Sequence, residues 1–103
     1  MEAKVLADLV KEMREDFQIP PFFSDKQLER YAKEGNDYFD KINPGCNPDE
    51  DLTYRSLLKN YMYYAVYHRV NEFMENYRNA ILTWQMETEV ETEESNDSAT
   101  SIH

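Results

Sequence analysis

The sequence predicts an all-α protein: a small bundle of three to four helices with a long central third helix, then an extended C-terminal arm and a disordered acidic tail. Three observations predict it. The chain has two glycines in 103 residues, too few for the many tight turns of a sandwich or barrel, where glycine supplies positive φ. Apolar residues recur at three- and four-residue steps in successive segments, the spacing of one helix face. Prolines cluster between those segments and not within them, where each would remove an amide donor and push its predecessor out of the α region.

The first helix is expected over residues 4–16, with Val5, Leu6, Leu9, Val10 and Met13 on one face. Ile19-Pro20-Pro21 ends it, and Phe17, Phe22 and Phe23 flank the break as candidate plugs for the base of the helix pair. Ser24-Asp25-Lys26-Gln27 reads as a capping box that opens the second helix, which runs to about Lys41. Its stripe is Leu28, Tyr31, Ala32, Gly35, Tyr38, Phe39 and Ile42. Gly35 costs that helix about 1 kcal/mol against alanine. Close approach of another helix explains it, and simple tolerance is the other reading.

Asn43-Pro44-Gly45-Cys46-Asn47-Pro48-Asp49 is a loop, after which Asp49 or Asp51 can cap the next helix. The third helix is expected from Leu52 to at least Val70, the longest of the set. It carries two stripes on nearly opposite faces at about 100° per residue: Tyr54, Leu57, Leu58, Tyr61 and Ala65, then Tyr63, Val66, Tyr67, Val70 and Met74. A helix apolar on two sides is buried on two sides. One side faces the core. The other faces a partner, or else is covered by the first two helices. Residues 71–78 read as helical, either continuing the third helix or following a bend, with Phe73, Met74 and Tyr77 apolar. Ile81, Leu82, Trp84 and Met86 form an arm that either ends a helix or is extended.

Residues 1–86 form the domain with its arm, and 87–103 the tail. The formal net charge is −10. Glu87, Glu89, Glu91, Glu93, Glu94 and Asp97 contribute six of those charges with no Lys or Arg among them, which leaves −4 for residues 1–86. Such a segment cannot bury enough apolar surface to offset its ordering entropy, so residues 91–103 are expected to be disordered. The acidity speaks against gripping nucleic-acid phosphates and against docking on anionic membranes. No signal peptide is read at Met1-Glu2-Ala3-Lys4, and no apolar run approaches the ~20 residues of a membrane span. Cys46 is the single cysteine, so an intrachain disulfide is impossible and a reducing cytoplasm is the expected site of folding.

No catalytic, cofactor or metal constellation is found. His68 and His103 have no second ligand at zinc spacing. His68 is expected at the edge of the core on the third helix. Asp49-Glu50-Asp51 lacks the alternating oxygens and central glycine of a calcium loop and reads as helix capping. Cys46 has no evident base, and two glycines cannot build a phosphate cradle. Two binding features remain: the tyrosine stripe with Tyr63, Tyr64 and Tyr67, continued by Val70 and Met74, and the arm with Ile81, Leu82, Trp84 and Met86.

The run Leu57-Leu58, Tyr61, Tyr64, Asn71-Glu72-Phe73, Asn76-Tyr77 and Ile81-Leu82, with its helix order, resembles the small head–tail connector (adaptor or head-completion) proteins of long-tailed bacteriophages and prophages. The resemblance covers about residues 5–82 and contains no catalytic motif. It implies a helical structural protein of the virion, made in the bacterial host cytoplasm and located at the head–tail junction. It further implies a homo-oligomeric ring, commonly a dodecamer, beneath the portal protein. Such a ring joins the portal to the next connector or tail-completion protein and lets DNA pass without specific binding. The long helix and the arm would form its interfaces, and the free protein could be a monomer. A small acidic regulatory protein, such as a DNA-mimic inhibitor, is the alternative.

Overall fold

The computed structural model describes the backbone of residues 1–100 and the side chains of residues 1–89. Five helices follow one another: α1 (Ala3–Phe17), α2 (Asp25–Ile42), α3 (Leu52–Val66), α4 (Val70–Asn76) and α5 (Arg78–Thr100). No strand occurs among the described residues. α3 lies at the centre and packs on each of the other four.

α1 buries the five apolar residues its spacing marks. It ends at Gln18, which turns left-handed (φ 51°) just before Ile19-Pro20-Pro21. α2 opens on Ser24, whose Oγ accepts the Gln27 amide at 3.1 Å. The Gln27 side chain turns along the helix, where its Nε2 donates to Tyr31 Oη at 3.3 Å, and no bond back to the Ser24 amide forms among the described residues. Asp51 caps α3 by accepting the Tyr54 amide at 3.0 Å.

Gly35 sits where α2 crosses α3. A Cβ built there would lie 2.7 Å from both Leu58 Cδ1 and Tyr61 Cδ1. Close approach is therefore the reason for the glycine. The opening lets Phe39, fully buried, reach the centre of an aromatic core. Tyr54, Tyr61, Phe73 and Trp84 all meet Phe39 edge-to-face, with ring centroids 5.5–6.1 Å apart. Such contacts contribute about 0.5–1.5 kcal/mol each beyond area burial.

α3 buries one broad face, with Tyr54, Leu57, Leu58, Tyr61, Met62, Ala65 and Val66 inside; of the second stripe only Val66 is buried. The helix is shorter than expected. It stops at Val66, with 15 residues against 23 for α5, and does not reach Val70. His68 adopts φ 57°. Its amide donates to Ala65 O and that of Arg69 to Tyr64 O, at 3.0 and 2.8 Å. These two bonds are a Schellman stop with histidine where glycine is usual. Apolar spacing continues through the stop, so periodicity could not mark it. His68 is consequently exposed at a helix end and not at the core edge.

The arm is also corrected. Residues 81–86 are helical, within α5, and not extended. Tyr77, Ile81, Trp84 and Thr88 recur at four-, three- and four-residue steps and turn toward the core, with Ile81 and Trp84 buried. Helix α5 passes position 87 without a break. The lack of order expected of residues 91–103 falls on residues whose side chains lie outside the described ones.

Ion pairs fasten α1 to α3. Arg55 and Lys59 both bind the Glu12 carboxylate, and Lys59 also reaches Asp16 at 2.9 Å. The Arg55 guanidinium, with Lys59 beside it, holds the Glu12 carboxyl down at about 2. Arg14 closes the α1–α2 loop through Asp25 and the Phe23 carbonyl, at 2.6 and 2.7 Å.

Candidate interaction surface

The second stripe expected on the third helix is split by the stop at His68. Its first part is half covered by the chain itself. Phe17 stacks on Tyr63 at 4.8 Å, and Phe23 meets Tyr67 edge-on at 5.9 Å. Val66 is buried, while Tyr67 remains 43% exposed. Phe17 and Phe23 thus plug this end as expected, but Phe22 does not. It is 79% exposed, the most exposed large apolar side chain in the described part of the chain. The second part, Val70 and Met74, is half-buried on α4 and points elsewhere.

Met74 lines a groove of about 670 Å³ between the last turns of α2 (Tyr38, Ile42), α4 and the start of α5 (Ile81, Leu82). Glu75, Arg78 and Gln85 form its polar rim. Two polar contacts hold α5 to the end of α2 and a third ties it to the cap of α3. Gln85 Nε2 donates to Ile42 O at 2.8 Å, satisfying a carbonyl that the helix end leaves open. Asn43 Nδ2 donates to Thr88 Oγ1 at 3.2 Å. Trp84 Nε1 donates to Asp51 Oδ2 at 2.8 Å, while its ring stacks on Tyr54 at 5.2 Å. Asp51 therefore caps α3 with one oxygen and anchors α5 with the other.

The eight residues singled out from the sequence thus have different fates. Ile81 and Trp84, read as arm residues open to a partner, are core residues instead. Leu82 and Met86 lie four apart on α5 and are 50% and 62% exposed. Tyr67 is exposed in the aromatic cluster, and Tyr63, Val70 and Met74 are half-buried. The spacing of apolar residues does not show that Phe22 is exposed, nor the Asp51–Trp84 bond. The four-, three-, four-step run from Tyr77 to Thr88 was the available signal that Trp84 faces inward.

The titratable groups considered for chemistry lie apart. His68 is at the α3 stop, and Cys46 is half-buried in the loop before α3. Among the described residues, no group of three His, Cys, Asp or Glu side chains could hold a metal ion. Burial raises the ionisation of Tyr54 and Tyr61 above the usual phenol range, which keeps both hydroxyls neutral in the core. Among the described residues, no helix is long and apolar enough to cross a membrane. Compared with protein-family models, with curated proteins and with solved structures, the chain matches none.

Proposed function

We propose that this chain is an assembly part: a subunit of a ring that sits beneath the portal of a DNA-filled phage head and joins it to the tail. The observation that carries the proposal is the apolar surface left over once the core is complete. Leu82 and Met86 form an exposed pair on α5, next to the open groove lined by Tyr38, Ile42 and Met74. A recess with mainly apolar walls, with Leu82 exposed on its edge, is the kind of surface a partner covers, and it supports the reading. The resemblance of residues 5–82 to head–tail connectors supports the same reading.

The net charge of −10 suits a conduit, since a negatively charged wall repels DNA and lets it slide. The ring takes the portal as its template and presents its other face to the next connector or tail-completion protein. No catalytic step and no cofactor belong to this role. Replacing Leu82 and Met86 together by aspartate tests it. Both side chains point away from the core, so the variant keeps its helical spectrum and melting temperature yet loses the complex with the portal protein of the same genome. A variant that still binds portal at wild-type strength would refute the role given to α5.

A further inference from the structure

Tyr77 alone separates α4 from α5. The junction is already half helical. The Tyr77 amide donates to Phe73 O and its carbonyl accepts the Ile81 amide, each at 2.9 Å and each with the four-residue reach of an α-helical bond. Its φ of −105° and ψ of 8° lie only about 40–50° from helical values. Sharp bends in helices carry proline, glycine or an inserted group as a rule. Asn76-Tyr77-Arg78-Asn79 holds neither glycine nor proline. The bend is therefore imposed by contacts with the rest of the body. The Tyr77 hydroxyl donates to Asn60 Oδ1 on α3 at 2.9 Å, and its ring stacks on Phe73 at 4.7 Å. Beyond the bend, Ile81 and Trp84 are the buried residues of α5 among the described ones. Local sequence and tertiary packing thus disagree at Tyr77. Straightening would satisfy the helix but would draw Ile81 and Trp84 out of the core, which is costly for one copy alone. With two copies that loss disappears, because each straightened α5 fits the site the other has vacated.

We infer that Tyr77 is a hinge at which α4 and α5 straighten, and that α5 then exchanges between two copies of this chain, Trp84 of each filling the aromatic core of the other. In the exchanged pair the burial of Ile81 and Trp84, the Trp84–Asp51 bond and the Gln85–Ile42 bond all re-form, now between chains. The two states then differ at the hinge and in the entropy of association. Bent monomers prevail in dilute solution, and exchange grows with concentration. Reciprocal exchange closes a pair, and onward exchange makes a ring or a filament. The exchange does not rest on the portal reading, since Leu82 and Met86 keep their outward side of α5 in both states.

Single cysteines in a Cys46→Ser background test it. The side chains of Asn43 and Thr88 meet at 3.2 Å where α5 crosses the end of α2. Protein carrying Asn43→Cys is mixed, at high concentration, with differently tagged protein carrying Thr88→Cys and then oxidised. Disulfides require Cα atoms within about 7 Å, so an interchain 43–88 link needs α5 of one copy on the body of the other. Its yield should exceed several-fold the 22–88 product of Phe22→Cys. Phe22 is highly exposed but lies at the opposite end of α2 from Asn43. Tyr77→Ala removes the hydroxyl that holds the bend and favours a continuous helix. It should raise the 43–88 product several-fold above Tyr77→Gly, which loses the same ring without the helix preference. A 43–88 yield no greater than 22–88, or equal yields from the alanine and glycine hinges, would overturn the exchange. Portal binding by protein that forms no 43–88 link would overturn it too, and would leave the portal reading standing.

Discussion

Replacing Gly35 by alanine sets two effects of known sign against each other. On an open helix face the change gains about 1 kcal/mol of helix propensity. Here the added methyl carbon meets Leu58 Cδ1 and Tyr61 Cδ1 at 2.7 Å, against 3.4–4 Å for ordinary contact. Something must move by about 0.7 Å, the gap left to normal van der Waals separation. Neither neighbour is free to do so. Leu58 is fully buried, and the Tyr61 ring is held edge-on by Phe39 and Phe73 at 6.1 and 5.6 Å. Overpacking of this kind costs about 1–3 kcal/mol, which cancels the propensity gain and leaves a net destabilisation of up to about 2 kcal/mol. Equilibrium urea unfolding followed by Trp84 fluorescence measures it, since Trp84 is the single tryptophan and lies in the same core. The double variant Gly35→Ala, Leu58→Ala should cost less than the sum of its parts, because the second change makes room for the first. A Gly35→Ala protein more stable than wild type by the full helix-propensity gain of about 1 kcal/mol would refute the close-approach account.

Three further outcomes follow from the same contacts. Trp84→Ala removes a buried ring and the donor to Asp51, and should cost about 3–5 kcal/mol by circular dichroism melts or denaturant titration; a loss below 1 kcal/mol would mean α5 is not anchored there. The Glu12 carboxyl ionises more readily folded than unfolded, so its stabilisation is complete above its usual 4.5 and is lost as pH falls from there toward about 2. Glu12→Gln should therefore be less stable than wild type at neutral pH and nearly equal to it at pH 2; a gap that persists there would contradict the Arg55 and Lys59 pairing. His68→Gly relieves a left-handed residue at an exposed helix stop and should stabilise by about 1 kcal/mol, read as a rise in melting temperature; a fall would contradict the Schellman geometry.

Much of the fold was legible because apolar spacing, caps and prolines agree in the first 60 residues. Ser24 and Asp51 announce α2 and α3, and Ile19-Pro20-Pro21 and the loop around Gly45 end the helices before them. Legibility failed where a stop carries no glycine or proline. At His68 the Schellman bonds are backbone bonds, and the side chain gives no signal of them. The arm was misread for a related reason. Residues 81–86 contain two apolar pairs at helical spacing, Ile81 with Trp84 inward and Leu82 with Met86 outward. Over six residues that double pattern resembles neither a helix nor a strand. The candidate surface was partly visible, since Tyr67, Leu82 and Met86 remain exposed. The groove was not, because it is assembled from α2, α4 and α5, and no single segment carries its shape. Phe22 reads as a plug with Phe17 and Phe23 because all three flank the proline break. Only the turn at Pro20 turns it outward.

The central claim, that this chain is a ring-forming adaptor on a portal, is tested most directly by the mass of the assembly it makes. Purified protein mixed with the portal protein of the same genome should give a complex carrying several copies of this chain per portal ring by native mass spectrometry or sedimentation velocity. No association with portal, together with one-to-one binding to a basic nucleic-acid enzyme, would contradict it and favour the acidic-inhibitor alternative.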